Sequence, residues 1–165
     1  MNQQSEAGAV VAIHISPASE APMEPVQEVR AVPGLGLEGD RYYAKAGTYS
    51  DVAEPGREVT LVEIEALEAI EETAGVELPA RDTRRNIATR GVPLNDLVGR
   101  EFRVGEVTLR GVELCEPCVH TIPNVGPQAR TRVLRSLVHR GGLRADIVSG
   151  GVIRVGDTIE GIAGT

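Results

Sequence analysis

Aromatic side chains are almost absent from this sequence. Among 165 residues there is no tryptophan, one phenylalanine and three tyrosines. A hydrophobic core must therefore be built from aliphatic side chains, chiefly those of valine, leucine, isoleucine and alanine. Few rings are left on which single-stranded bases would stack, and this argues against a single-stranded nucleic acid as partner.

The sequence also lacks an excess of basic residues. Its 17 lysines and arginines face 24 acidic residues, for a formal net charge of −7, whereas nucleic-acid-binding domains usually carry a basic face. Arginines do cluster within residues 81–90 and 130–144. Such clusters on an acidic background indicate either a small anionic ligand or solvated arginines that balance nearby acids. We therefore expect a small-molecule cofactor or substrate, and no nucleic acid.

Long hydrophobic runs are missing as well. No apolar run reaches the roughly 18 residues that a membrane-spanning helix needs, and the polar N-terminus has no apolar segment typical of a signal peptide. We expect no membrane association and a cytoplasmic location, where thiols stay reduced. Residues 1–8 are predicted to be a disordered tail and residues 9–165 a single domain.

Short strand-like segments punctuated by glycine make up most of the chain. Strands are predicted at 10–15, 26–32, 58–62, 85–89, 101–104, 107–114, 143–148, 152–155 and 158–162. Apolar residues recur at helical spacing in 63–74, which Gly75 ends, and in 128–139. Strands and helices do not alternate as a doubly wound sheet requires. The sequence predicts a mainly β protein with two helices, folded as a mixed, mostly antiparallel β-barrel.

Both cysteines lie in the segment Cys-Glu-Pro-Cys, residues 115–118, directly after the predicted strand 107–114. Two thiols separated by two residues can share a metal ion, form a redox disulfide, or present one thiolate that the other assists. His120 follows Cys118 by two residues and can assist its thiolate or share its ligand. The alternative is that Cys115 and Cys118 are two small buried hydrophobic side chains.

A zinc site is one further interpretation of these thiols. Cys115, Cys118, His120 and His139 together make a Cys₂His₂ set, but the separation of the two histidines fits no common finger pattern. A thioredoxin-like motif would have to open a helix, whereas residues 119–127 contain two prolines and a glycine. A zinc-binding or thiol-redox module without catalysis therefore remains the second hypothesis.

Five segments in order resemble those of the MOSC domain, the module at the C-terminus of molybdenum cofactor sulfurases. They are residues 33–41, 84–87, 91–99, 113–118 and 141–157. The resemblance covers nearly the whole chain and implies a β-barrel whose key cysteine corresponds to Cys118. It also implies the small stand-alone type, because the sulfurases' pyridoxal-phosphate domain and most of the larger reductases' N-terminal half are missing here.

The resemblance leaves two reactions open. In relatives such as the mitochondrial amidoxime-reducing proteins, the cysteine corresponding to Cys118 is the protein ligand of molybdenum in a pterin cofactor. That implies a reductase with an external electron donor. The additional Cys115 is outside the family's minimal pattern and favours sulfur transfer instead. In that reaction Cys118 takes sulfur from a protein donor and Cys115 releases it by attacking the persulfide.

The phosphate of a pterin cofactor needs backbone N–H groups and arginine side chains. Arg85 and Asn86, which follow Arg84, are predicted to begin a short strand and are the best candidates for this contact. Because adjacent strand residues face opposite sides, one of the two arginines is expected to be surface charge only. Asp40 and Arg41 follow a glycine-rich turn and are further candidates, although Asp40 could equally cap that turn.

Overall fold

The computed structural model describes residues 8–18, 21–40, 58–75, 77–115, 128, 131, 135 and 141–161. Within these residues the chain forms eleven strands, one complete α-helix and two short 3-10 helices. In chain order they are β1 (Gly8–Ile15), β2 (Glu24–Val26), β3 (Glu28–Val32), β4 (Gly36–Leu37), β5 (Val59–Glu63), α1 (Ile64–Ala74), a 3-10 helix (Ala80–Thr83), β6 (Ile87–Arg90), a second 3-10 helix (Leu94–Leu97), β7 (Glu101–Val104), β8 (Val107–Leu114), β9 (Leu143–Ser149), β10 (Gly151–Arg154) and β11 (Thr158–Gly161).

Seven strands close into a barrel. Their order around the ring is β1-β6-β5-β9-β8-β7-β11, and β11 pairs back onto β1. β5 and β6 run parallel, whereas the other neighbours in the ring are antiparallel. β2 extends the ring beside β1, and β10, β3 and β4 form a separate three-stranded sheet. The predicted mixed, mostly antiparallel β-barrel is confirmed.

The barrel interior is aliphatic, as the composition predicts. Leu61, Ile87, Leu109 and Leu143 come from four different strands and are completely buried in one core. Phe102, the chain's single phenylalanine, is buried in the same core. Inward-facing residues alternate with outward-facing ones along each strand, so the neighbours of these residues lie on the outer face of the barrel.

Helix α1 covers part of that outer face. Its predicted C-terminal stop is confirmed, because Gly75 is left-handed with φ 68° and donates its N–H to Glu71 O at 3.1 Å. Leu67 and Ile70 of α1 pack in a second core that includes Val62 of β5 and Ala88 of β6. The helix therefore covers the outer β5–β6 surface around Val62 and Ala88. No helix in the described part of the chain is both long and apolar enough to cross a membrane.

Two strand predictions are wrong in detail. The segment 26–32 is not one strand, because it divides at Gln27 between β2, which pairs with β1, and β3, which pairs with β10. The predicted strand 85–89 begins only at Ile87. A 3-10 helix ends at Thr83, and Arg84 is left-handed with φ 62°, so the chain becomes extended two residues later than predicted.

Two other predictions fall largely outside the described residues. Of the second helix, predicted at 128–139, the structure describes Gln128, Thr131 and Arg135, which are helical and exposed. Of the tail predicted at 1–8 it describes only Gly8, which is the first residue of β1.

Candidate functional site

The cysteine segment leaves the barrel at the end of β8. Cys115 is the first residue after this strand and is only 5% exposed. Its backbone N–H donates to Gly142 O at 2.7 Å, and its sulfur is a thiol rather than half of a disulfide. Cys118 and His120, which were predicted to act with it, lie outside the described residues, as does Arg41.

Gly142 lies directly before β9, where the chain closely approaches the paired strand β5. Its φ is +116°, and a Cβ at this position would collide with the carbonyl oxygen of Leu61 on β5. Only glycine combines this backbone conformation with such a close approach. The glycine pair 141–142 therefore holds the start of β9 against β5, and through Gly142 O it also holds the end of β8.

Arg85 also contacts this glycine pair. Its Nε donates to Gly141 O at 2.9 Å, and its backbone N–H donates to Thr83 Oγ1 at 3.3 Å. The side chain is half-buried, and its two terminal nitrogens make no hydrogen bond to any residue that the structure describes. A guanidinium held by Nε in this way presents its remaining N–H groups to an anion.

Arg84 is directed to a different partner. Its Nη1 donates to Ala21 O at 2.8 Å, in the connection between β1 and β2. One of the two arginines was expected to be surface charge only because adjacent strand residues face opposite ways, but both residues precede β6 and that argument does not apply. Arg84 is left-handed, half-buried and hydrogen-bonded to Ala21 O.

Asn86 and Asp40 are brought together beside Arg85, and both are buried. Asn86 Oδ1 accepts hydrogen bonds from the N–H and Oγ1 of Thr60, each at 3.1 Å. Its Nδ2 donates to His14 O at 3.1 Å and to Asp40 Oδ1 at 3.4 Å. Asp40 Oδ1 also accepts the N–H of Ser16 at 3.0 Å. This network joins β1, β5, the start of β6 and the glycine-rich turn.

Arg144 is a member of this region that sequence reasoning did not select. Its Nη1 lies 2.6 Å from Glu113 Oε2, and its side chain is only 18% exposed. Because Leu143 faces the core, Arg144 lies on the outer face, paired in register with Thr60 on β5 and Glu113 on β8. The signal that could have identified Arg144 was its position two residues after the glycine pair, in a strand where apolar and polar residues alternate.

Glu58 is a second residue that the sequence did not reveal. Its Oε1 accepts the N–H of Ile147 at 2.9 Å and that of Gly34 at 3.3 Å, so it ties the glycine-rich turn to β9. Burial raises the pKa of the Glu58 carboxyl, the hydrogen bond from Ile147 lowers it, and the negative charge of Asp146 raises it further. The net direction is upward.

The donor atoms of the described residues fit an anion better than a divalent cation. No group of three or more histidine, cysteine, aspartate or glutamate side chains in the described part could hold a metal ion. The predicted zinc set depends on Cys118, His120 and His139, which lie outside it. The available guanidinium of Arg85 fits a phosphate, and a cysteine thiolate is a soft ligand suited to molybdenum.

Comparison with known proteins adds the following. Residues 45–160 match the family model of the MOSC domain. Three similar solved structures are the YuaD protein from Bacillus subtilis, with 20% identity over 93% of this chain and 94% of that chain and a TM-score of 0.76; YiiM from Geobacillus stearothermophilus, with 14% identity over 94% and 75% and a TM-score of 0.68; and YiiM from Escherichia coli, with 16% identity over 95% and 71% and a TM-score of 0.61. No curated protein matches the chain significantly in sequence. At these identities the structural likeness concerns the fold.

Proposed function

Because this chain belongs to the MOSC domain family, we propose that it binds a molybdenum–pterin cofactor or a sulfur-bearing small molecule, with Cys118 as metal ligand or sulfur carrier. One observation supports this most directly. The glycine pair 141–142 accepts a hydrogen bond from the Arg85 side chain and another from the backbone of Cys115. The Cys-x-x-Cys segment therefore begins beside a guanidinium with available donors.

Arg85 and Asn86 have distinct parts in the cofactor version of this proposal. Arg85 binds the phosphate, because its terminal nitrogens are available for it. Asn86 contributes indirectly, since the four hydrogen bonds of its side chain fix the backbone that precedes β6. When bound, the cofactor supplies a redox-active metal at which a substrate oxygen can be reduced. The protein would then be a molybdenum-dependent reductase.

In the sulfur-transfer version, the Cys118 thiolate attacks the outer sulfur of a donor persulfide. It becomes a persulfide itself, and the donor leaves as a thiolate. The Cys115 thiolate then attacks the Cys118 sulfur, so that a Cys115–Cys118 disulfide forms and hydrosulfide leaves. An external dithiol reduces the disulfide. The burial of Cys115 supports this order of events, because a thiol that is 5% exposed is shielded from a donor protein.

The test is metal analysis and mass spectrometry of the full chain, made in a host that synthesises the pterin cofactor. We expect about one molybdenum and one pterin per chain, or else a persulfide on Cys118 after incubation with a sulfane-sulfur donor. Cys118→Ala should abolish either result, and Arg85→Gln should reduce pterin content. Arg103→Gln, at an exposed site on β7, is the matched control.

Two outcomes would contradict the proposal. One is wild-type protein that carries neither pterin nor molybdenum and accepts no sulfane sulfur. The other is about one zinc per chain without pterin, which would instead support the zinc-binding or thiol-redox module.

A further inference from the structure

Three strands in the described part of the chain have a neighbouring strand on one side only. They are β2, β4 and β10. An unpaired strand edge presents N–H and C=O groups with which another chain can pair. β2 contains Pro25, which has no N–H, and β4 is only two residues long. β10 is four residues long and contains no proline, so it is the edge best suited to pairing with another chain.

A carboxylate covers each N–H group that β10 directs away from β3. Val152 N donates to Glu106 Oε2 and Arg154 N donates to Asp157 Oδ2, both at 2.8 Å and in contact with solvent. The N–H of Val155 bonds on the opposite side, to the carbonyl of the residue before β3, at 2.9 Å. Because successive N–H groups of a strand point to opposite sides, Val152 and Arg154 supply all the N–H donors of the free edge of β10.

Two glycines make room for these carboxylates. A Cβ at Gly151 would lie 2.7 Å from Glu106 Oε2, and a Cβ at Gly105 would collide with Asp157 Oδ2. A side chain at either glycine would therefore displace the carboxylate beside it. Glu106 belongs to the turn between β7 and β8, and Asp157 to the turn between β10 and β11. Both turns thus hold a carboxylate in a defined place against the edge of β10.

We infer that Glu106 and Asp157 prevent β10 from pairing with the β10 strand of a second copy of this chain. Two copies related by a two-fold axis present the same edge to each other, as antiparallel strands. A pair centred on Ile153 places Val152 opposite Arg154 of the second copy. Both edge N–H groups of each copy would then bond across the interface. While the two carboxylates accept these N–H groups, this pairing is blocked.

The experiment is sedimentation equilibrium of the full chain, as wild type and as the double variant Glu106→Ala/Asp157→Ala. The double variant should associate to twice the wild-type mass, with a dissociation constant at least about tenfold lower than that of the wild type. Each single alanine variant should associate in the same way but more weakly, so the test does not depend on the folding of the double variant. The matched control Glu24→Ala/Glu160→Ala removes the same charge at exposed positions outside β10 and should keep the wild-type mass. Thermal melts confirm that each variant is folded.

Two further variants separate hydrogen bonding from charge. Glu106→Gln/Asp157→Asn keeps an accepting oxygen at each position and should keep the wild-type mass. Arg154→Pro, added to the double alanine variant, removes an edge N–H that β3 does not use and should weaken the association. The inference is overturned if the alanine variants keep the wild-type mass up to about 0.5 mM, if the Gln/Asn variant associates as strongly as the double alanine variant, or if Arg154→Pro leaves the association unchanged.

Discussion

At the scale of the single residue, Asn86 is a polar side chain that the sequence predicts to bind a ligand but that the fold uses for its own hydrogen bonds. Its amide makes four hydrogen bonds, to Thr60, His14 and Asp40, and it is 3% exposed. A side-chain amide has two donors and one oxygen acceptor with two lone pairs, so these bonds fill its capacity. The Asn86 side chain therefore affects a ligand through the residues that it positions, which include Asp40 and the adjoining Arg85.

The two cysteines are expected to differ in function. Replacing Cys118 with alanine should abolish activity or sulfur uptake, because it removes the metal ligand or the carrier. Replacing Cys115 should only reduce activity, because an external thiol can release the sulfur in its place. The measurement is a sulfur-transfer or reductase assay of both variants side by side. Equal residual activity in the two would contradict this assignment.

The carboxyl of Glu58 should make stability depend on pH. Its pKa is raised in the folded protein, so the folded state binds the proton more tightly than the unfolded state. The resulting stabilisation is complete below the unfolded pKa and is lost as the pH rises through the folded pKa. Relative to Glu58→Gln, the wild type should therefore gain free energy of unfolding on acidification from about pH 7 to about pH 5.

Urea unfolding of both proteins at the two pH values measures this difference. Repeating the comparison in an Asp146→Asn background provides the control, because removing that charge removes one cause of the raised pKa. The difference should then depend less on pH. If the free energy of unfolding of the wild type, relative to that of Glu58→Gln, stays constant or falls in acid, Glu58 is not the group responsible.

At the scale of the element, the close approach of the chain to β5 at the start of β9 depends on one glycine. Alanine at position 142 would combine a positive φ with a collision against the backbone of Leu61, which no side-chain movement can relieve. We expect Gly142→Ala to lower the free energy of unfolding by about 3 kcal/mol or more. Because the same glycine binds Cys115 N–H, any variant that remains folded should also lose activity.

The matched control is Gly75→Ala at the end of α1. Gly75 is also left-handed, with φ +68°, but a Cβ there would meet nothing within 4 Å. Gly75→Ala should lower the free energy of unfolding only by the cost of the left-handed backbone conformation, about 1 kcal/mol. Chemical unfolding compares the two variants. Similar losses of stability in both would mean that the close approach to Leu61 does not matter.

At the scale of the whole molecule, the barrel is closed by a short seam. β1 and β11 pair over two positions, Gly8 with Ile159 and Ala9 with Thr158, whereas the β8–β9 ladder extends over six. Two further hydrogen bonds flank the seam, from Val10 N to Asp157 O and from Gly156 N to Val10 O, both 2.9 Å. Fewer pairs mean that less free energy is needed to open the ring here than to separate β8 from β9.

Native-state hydrogen exchange tests this expectation. The amides of Val10 and Gly156 should exchange through a local opening whose free energy is lower, by at least about 1 kcal/mol, than that of the β8–β9 amides. Equal opening free energies would indicate that the seam opens only when the whole barrel unfolds.

The sequence by itself determined the features that depend on neighbouring residues. The hairpin of β7 and β8 has its predicted bounds, and α1 ends at the predicted Gly75, because alternation, helical spacing and glycine turns are local signals. The aliphatic core follows from composition in the same way. Where a local signal was missing, prediction failed: nothing in the sequence marked the left-handed Arg84 that delays β6.

Only the tertiary structure decided which distant residues meet. Arg85 binds Gly141 across 56 residues, and Asn86 binds Asp40 across 46. These contacts depend on the register of β1, β5, β6 and β9 together, and a shift in any one of them would separate the partners. The same holds for the closure of the ring. Register is a property of the assembled barrel, and no single segment of the chain encodes it.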